Sequence, residues 1–160
     1  MKSFENLSDA GEKLAELVRA EYSRSPVVVL AVVPNGVPVA LPVGRDLGVQ
    51  VLALPVLRTD DGPMVFEVPP VTGLHVLVID DGVETGAVAR VAAQVITKLN
   101  PASLALAVPV CPRESMADLT QRYDQIIAID KPLVRRSLAW HYVDFDTINE
   151  TAALKLLAVR

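Results

Sequence analysis

"VLVIDDGVETGAVAR", residues 76–90, decides how the fold is read. An apolar, β-branched run ends in two adjacent aspartates, Asp80 and Asp81. The turn Gly82-Val83-Glu84-Thr85-Gly86 follows, and a helix-forming segment begins directly after it. A strand, an acidic pair and a tight turn into a helix form half of a strand–helix–strand unit. The aspartates need partners, because two carboxylates side by side repel one another.

Outward from that stretch, strand and helix signals alternate. Residues 26–33 (PVVVLAVV) are a continuous apolar run, the pattern of a strand buried on both faces, and residues 49–57 (VQVLALPVL) read as a second buried strand. Residues 75–80 (HVLVID), 103–110 (SLALAVPV) and 125–130 (QIIAID) supply three more strands. Helical spacing marks residues 7–22, with Ser8 or Asp9 as the expected cap, and residues 87–100, which Asn100-Pro101 should stop. A short helix is expected after Asn35-Gly36, ending at Gly48, and another over residues 114–123. Residues 58–74 carry Gly, Pro and Asp around one strand-like piece, MVFEV, and read as an exposed excursion containing a hairpin. The tail from residue 131 reads as a basic, aromatic loop and a final amphipathic helix. The fold class is therefore α/β, a mostly parallel, doubly wound sheet in one domain over residues 1–160.

Bulk properties narrow the function. Hydrophobic residues make up 51% of the 160 residues and charged residues 21%, which suits a packed core. A net charge of −4 gives no electrostatic footprint for nucleic acid. No apolar run approaches the ~20 residues of a membrane-spanning helix. The single cysteine, Cys111, excludes an internal disulfide framework and a cysteine metal cluster. With a polar N-terminus, a cytoplasmic protein is expected.

In a doubly wound sheet, ligands bind beyond the carboxyl ends of the strands. Asn35-Gly36, Asp80-Asp81, Cys111-Pro112-Arg113 and Asp130-Lys131 all fall there. Carboxylates at a strand end accept hydrogen bonds from vicinal hydroxyls or sit beside Mg2+. The turn after them aims backbone N–H groups and a helix dipole at an anion. Hydroxyls on one side and a phosphate on the other describe a ribose 5-phosphate.

The stretch resembles the phosphoribosyl pyrophosphate (PRPP) motif of type I phosphoribosyltransferases: an apolar strand, two acidic residues, three variable residues, then Thr-Gly-x-Thr. Asp80, Asp81, Thr85 and Gly86 match, and Val88 stands where a threonine is usual. Residues 4–18, 29–48 and 140–157 are similar to the N-terminal helix, first strand with its pyrophosphate loop, and aromatic C-terminal segment of small stand-alone members.

The resemblance implies transfer of the phosphoribosyl group of PRPP to a nitrogenous base, with Mg2+ and release of pyrophosphate, under a short C-terminal hood. It implies small-molecule substrates, and a homodimer, as is common among similar proteins. Asp80 and Asp81 would hold the ribose hydroxyls directly or through the metal, and Gly82, Val83, Glu84, Thr85, Gly86, Ala87 and Val88 would surround the 5-phosphate. Glu84 occupies the slot in which 6-oxopurine enzymes carry an acid–base aspartate; a solvated glutamate favoured by the helix dipole is the plainer account.

Several positions depart from the pattern. Pro34-Asn35-Gly36 replaces the usual arginine-containing pyrophosphate loop, leaving Asn35 and Gly36 as donors and Arg58 as a basic candidate or an ordinary surface arginine. The loop that covers the reaction centre in larger members is expected from residues 59–73, short and acidic at Asp60-Asp61. Arg113 stands near the place of a base-contacting lysine, and begins the next helix on the other reading. Trp140, His141, Tyr142 and Phe145 offer stacking surfaces, and on the other reading Tyr142 and Phe145 pack the last helix onto the sheet. A non-catalytic PRPP- or nucleotide-binding protein of the same fold is the rival. A response-regulator receiver is disfavoured because the acidic pair follows two earlier strands. Dinucleotide-binding and P-loop turns are absent.

Overall fold

A computed structural model describes residues 2–158. Six strands form one sheet in the order β3-β2-β1-β4-β5-β6: β1 (Val27–Val33), β2 (Val51–Thr59), β3 (Gly62–Val65), β4 (His75–Ile79), β5 (Ser103–Val110) and β6 (Gln125–Asp130). Every neighbouring pair is parallel except β2–β3, which is an antiparallel hairpin. The apolar runs are explained by this position: β5 is buried at every residue and β1 at its last five. Such strands have helices on both faces.

On one face lie α1 (Leu7–Glu21), α2 (Gly36–Leu47) and α5 (Glu150–Ala158), packing Leu14, Val18, Val37 and Val43 onto Val29, Leu77 and Ile127. On the other lie α3 (Ala87–Thr97) and α4 (Arg113–Leu119), whose Ala92, Ile96 and Leu119 meet Leu30, Val76 and Leu106. From β1 the chain runs outward to β2 and β3, then returns to β4 on the opposite side of β1. The sheet's winding reverses there, opening a crevice at the carboxyl ends of β1 and β4.

Several element boundaries differ from the sequence reading. The cap of α1 is Asn6, not Ser8 or Asp9: its side chain accepts the Asp9 N–H at 2.8 Å, while Asp9 accepts the Glu5 N–H at 2.9 Å. This reciprocal pair satisfies two orphan donors. The strand in the excursion is Gly62–Val65 rather than MVFEV. Its pairing with β2 runs from Thr59↔Gly62 to Val56↔Val65, and Pro69-Pro70 cannot extend it. β2 is less buried than its apolar run suggests, since only Val51 and Leu54 are enclosed and its last three residues are exposed beside a four-residue edge strand. The third and fourth helices are also shorter than expected, ending at Thr97 and Leu119.

The segment 131–149 folds back over the carboxyl ends of the strands as a hood, with a 3-10 turn at Leu138–His141. The N-terminal strap fastens it: Ser3 and Phe4 N–H groups donate to the His141 carbonyl, and the Val143 N–H donates to the Phe4 carbonyl at 2.8 Å. Among the described residues, no helix is long and apolar enough to cross a membrane.

Candidate active site

At the crevice between β1 and β4 lies a cavity of about 340 Å3. Its floor is apolar, from Val32, Val78, Leu106 and Val108, the ends of three adjacent strands. One wall is the continuous run Asp80 to Ala89, another is Asn35 with Arg58, and the hood contributes Leu138 and Phe145.

Local backbone geometry builds the acidic wall. The Asp81 N–H donates to Asp80 Oδ1 at 2.7 Å, so the first carboxylate is turned back over the second residue's backbone. Val83 N–H donates to the Val110 carbonyl at 2.8 Å, tying the turn to the end of β5. Gly82 has φ 148°, a conformation that L side chains rarely adopt, and a Cβ there would stand 2.5 Å from Leu138 Cδ2. Thr85 Oγ1 accepts the Ala87 N–H at 3.2 Å, after which α3 begins with its first N–H groups beside the cavity.

The two aspartates are electrostatically costly. Burial pushes the Asp80 carboxyl well above its ordinary value, the charge of Asp81 adds to the rise, and Arg58 works against it. Burial likewise raises Asp81, with hydrogen bonding to Asp80 and Asn35 opposing. An opposite charge or hydrogen-bond donors beside such a pair favour its ionised form. The donor chemistry of the pair, two adjacent carboxylates at the cavity wall, fits Mg2+. Mg2+ characteristically binds in that way, through one or two carboxylates plus substrate phosphates.

The structure brings together Asn35, Arg58 and the whole stretch from Asp80 to Val88. It does not bring Gly36, Arg113 or Trp140 to the cavity lining. The close approach that Gly36 permits is to backbone: a Cβ there would stand 2.7 Å from the Ile79 carbonyl oxygen and 3.1 Å from Asp80 Cα. Arg113 opens α4, its Nε donating to the Lys131 carbonyl at 3.1 Å. Trp140 points outward, 42% exposed, with Arg136 4.4 Å and Lys2 5.3 Å from its ring centre. Its ring is already engaged by cations. Glu84 is exposed, and its Oε1 accepts the Leu138 N–H at 2.6 Å.

The sequence reading missed Leu138, which lies in a basic stretch and carries no chemical signal beyond its hydrophobicity. Phe145 packs on Tyr142 with ring centres 5.0 Å apart and also lines the cavity.

Comparison with known proteins identifies the frame in which this cavity sits. The sequence profile of the phosphoribosyl transferase domain matches residues 2–133. The chain belongs to that family. Among curated relatives of this phosphoribosyl transferase family member is the Mycobacterium tuberculosis (strain ATCC 25618 / H37Rv) protein Rv0571c, provisionally named a phosphoribosyl transferase, 26% identical over 98% of this chain and 47% of the relative. The chain thus spans about half the length of the curated relatives it matches. The crystal structure of TT1426 from Thermus thermophilus superposes with a TM-score of 0.83 at 22% identity, covering 98% of both chains. A purine phosphoribosyltransferase from Pyrococcus horikoshii Ot3 gives 0.57 at 17% identity, covering 84% of this chain and 99% of that one. These likenesses establish the type I phosphoribosyltransferase fold.

Proposed function

We propose that this protein transfers the phosphoribosyl group of PRPP to a nitrogenous base of the purine or pyrimidine kind and releases pyrophosphate. The observation that carries the reading is the meeting of Asp80 and Asp81 with the Gly82–Val88 turn in one cavity at the sheet's switch point. In this reading the aspartates take the ribose hydroxyls and Mg2+, and the first N–H groups of α3 take the 5-phosphate. Asn35 and Arg58, on the opposite wall, take the pyrophosphate. Mg2+, when bound, offsets the negative charge of the pyrophosphate oxygens. Transfer passes through an oxocarbenium-like carbon, so the protein's task is to orient two reactants and to hold charge in place.

Leu138 and Phe145 supply apolar surface for the acceptor ring, where Trp140 and Arg113 were expected. Glu84 exchanges a proton with the base in this proposal, using the carboxylate oxygen not engaged by Leu138. Glu84→Gln keeps an oxygen for that N–H and removes the exchangeable proton, so it lowers turnover and spares PRPP affinity. A cytoplasmic setting belongs to the same proposal.

The rival, a PRPP- or nucleotide-binding protein without turnover, draws on Val88 and the arginine-free pyrophosphate loop, and on the acidic hairpin tip at Asp60-Asp61. Incubation with PRPP, Mg2+ and a panel of bases, read as pyrophosphate release, decides between them. Turnover on one base that is lost in the Asp80→Asn/Asp81→Asn double variant supports the enzyme. PRPP binding without release on any base supports the rival.

A further inference from the structure

Three hydrogen bonds join the hood to the three cavity segments that the sequence reading assigned to different parts of PRPP. Leu138 N–H donates to Glu84 at 2.6 Å, Tyr142 O–H donates to the Asp81 carbonyl at 2.9 Å, and Ile148 N–H donates to Asn35 Oδ1 at 3.0 Å. Two of the donors are backbone groups that any residue would offer. The Tyr142 hydroxyl is the side-chain one.

Its target is the Asp81 carbonyl, at the start of the turn that Val83 ties to β5. Asp81 precedes Gly82, whose φ of 148° is a conformation that L side chains rarely adopt. The Asp81 N–H is held by Asp80 Oδ1, and its carbonyl is held by Tyr142. With both groups held, the direction in which the Asp81 Cα–Cβ bond leaves the backbone is set. Tyr142 is itself 2% exposed and lies between Phe4, 5.3 Å away, and Phe145, 5.0 Å away. Burial raises the phenol far above its ordinary value, with the charges of Asp81 and Asp80 adding to the rise, so it stays a donor throughout the neutral range.

We infer that Tyr142 is a positioning residue, which sets the Asp81 carboxylate for the sugar hydroxyls and couples seating of the hood to sugar binding. The inference rests on the phosphoribosyl reading of the cavity and assigns the hood a task within it. A phosphate-only ligand reaches the α3 end of the cavity without using Asp81; a phosphorylated pentose uses both.

The test is Tyr142→Phe, which keeps the ring and its packing and removes the hydroxyl. Calorimetry compares ribose 5-phosphate with inorganic phosphate, both with Mg2+, for the native chain and the variant. The expected result is affinity for ribose 5-phosphate weakened about fivefold, the scale of one hydrogen bond, with phosphate affinity unchanged. Equal weakening of both ligands, or of neither, overturns the positioning role and leaves Tyr142 a packing residue, whatever happens to the melting temperature. Should the native chain itself show no preference for ribose 5-phosphate over phosphate, the phosphoribosyl reading falls and this inference with it.

Discussion

At Asp80, burial and the neighbouring charge of Asp81 act in the same direction, both favouring the protonated acid. The consequence for stability follows from linkage. A carboxyl whose folded value is raised above its unfolded one contributes stability that is fully present below the unfolded value, 3.8, and lost as the pH rises through the folded one. Asp80→Asn keeps an oxygen to accept the Asp81 N–H and discards the charge. It is therefore expected to melt at a higher temperature than the native chain near pH 7, with the difference shrinking as the pH falls toward about 4. Melting curves across that range check the sign; an asparagine variant less stable than the native chain at neutral pH would refute it. Ligand affinity runs the other way, because the charge that destabilises the empty cavity is what a cation or hydroxyl set binds. The acidic pair was legible in the sequence, whereas its depth of burial was not.

The element that matters most is the turn into α3. Its helical start at Ala87, its fastening to β5 through Val83 and its place beside the cavity all follow from one strand–turn–helix segment. Val88 lies in the first turn, lines the cavity and has no polar group to offer. Val88→Thr changes shape little and adds a hydroxyl where the resemblance places one. Affinity for ribose 5-phosphate is expected to tighten about fivefold, with unphosphorylated ribose unaffected, as calorimetry would record. Element edges were harder to read than elements. Asn6 rather than Ser8 or Asp9 caps α1 because reciprocal bonding with Asp9 and Glu5 satisfies more donors than either alternative alone. The last paired residue of the hairpin strand is Val65, opposite Val56 of β2, although β2 itself continues back to Val51.

Across the whole molecule, the N-terminal strap meets the hood over the site. Phe4 is 1% exposed, forms a parallel bridge with Tyr142, and its carbonyl accepts the Val143 N–H. Leu7 N–H donates to Asp146 Oδ1 at 2.9 Å, adding a second tie between the start of α1 and the hood. Phe4→Ala opens a cavity beneath the hood and is expected to destabilise the fold by about 3–5 kcal/mol. Urea unfolding with an unchanged slope would register it as a shift of midpoint. A cost under about 1 kcal/mol would mean that the strap merely rests on the hood.

Local sequence was enough for the α/β class, the order of strands and helices, and the acidic pair with the tight turn that leads from it into a helix. Buried strands declare themselves by continuous apolar runs, and the turn's chemistry is contiguous from Asp80 to Val88. Which distant groups complete the cavity emerged only from the packed chain. Arg58 comes to it from the far side of β1, and Leu138 and Phe145 fold over it, while Trp140 turns away toward Arg136 and Lys2. The reason is that a hood has no period to read. Its residues are placed by packing against Phe4 and by hydrogen bonds to Asn35, Asp81 and Glu84, partners tens of residues away that no spacing rule reaches.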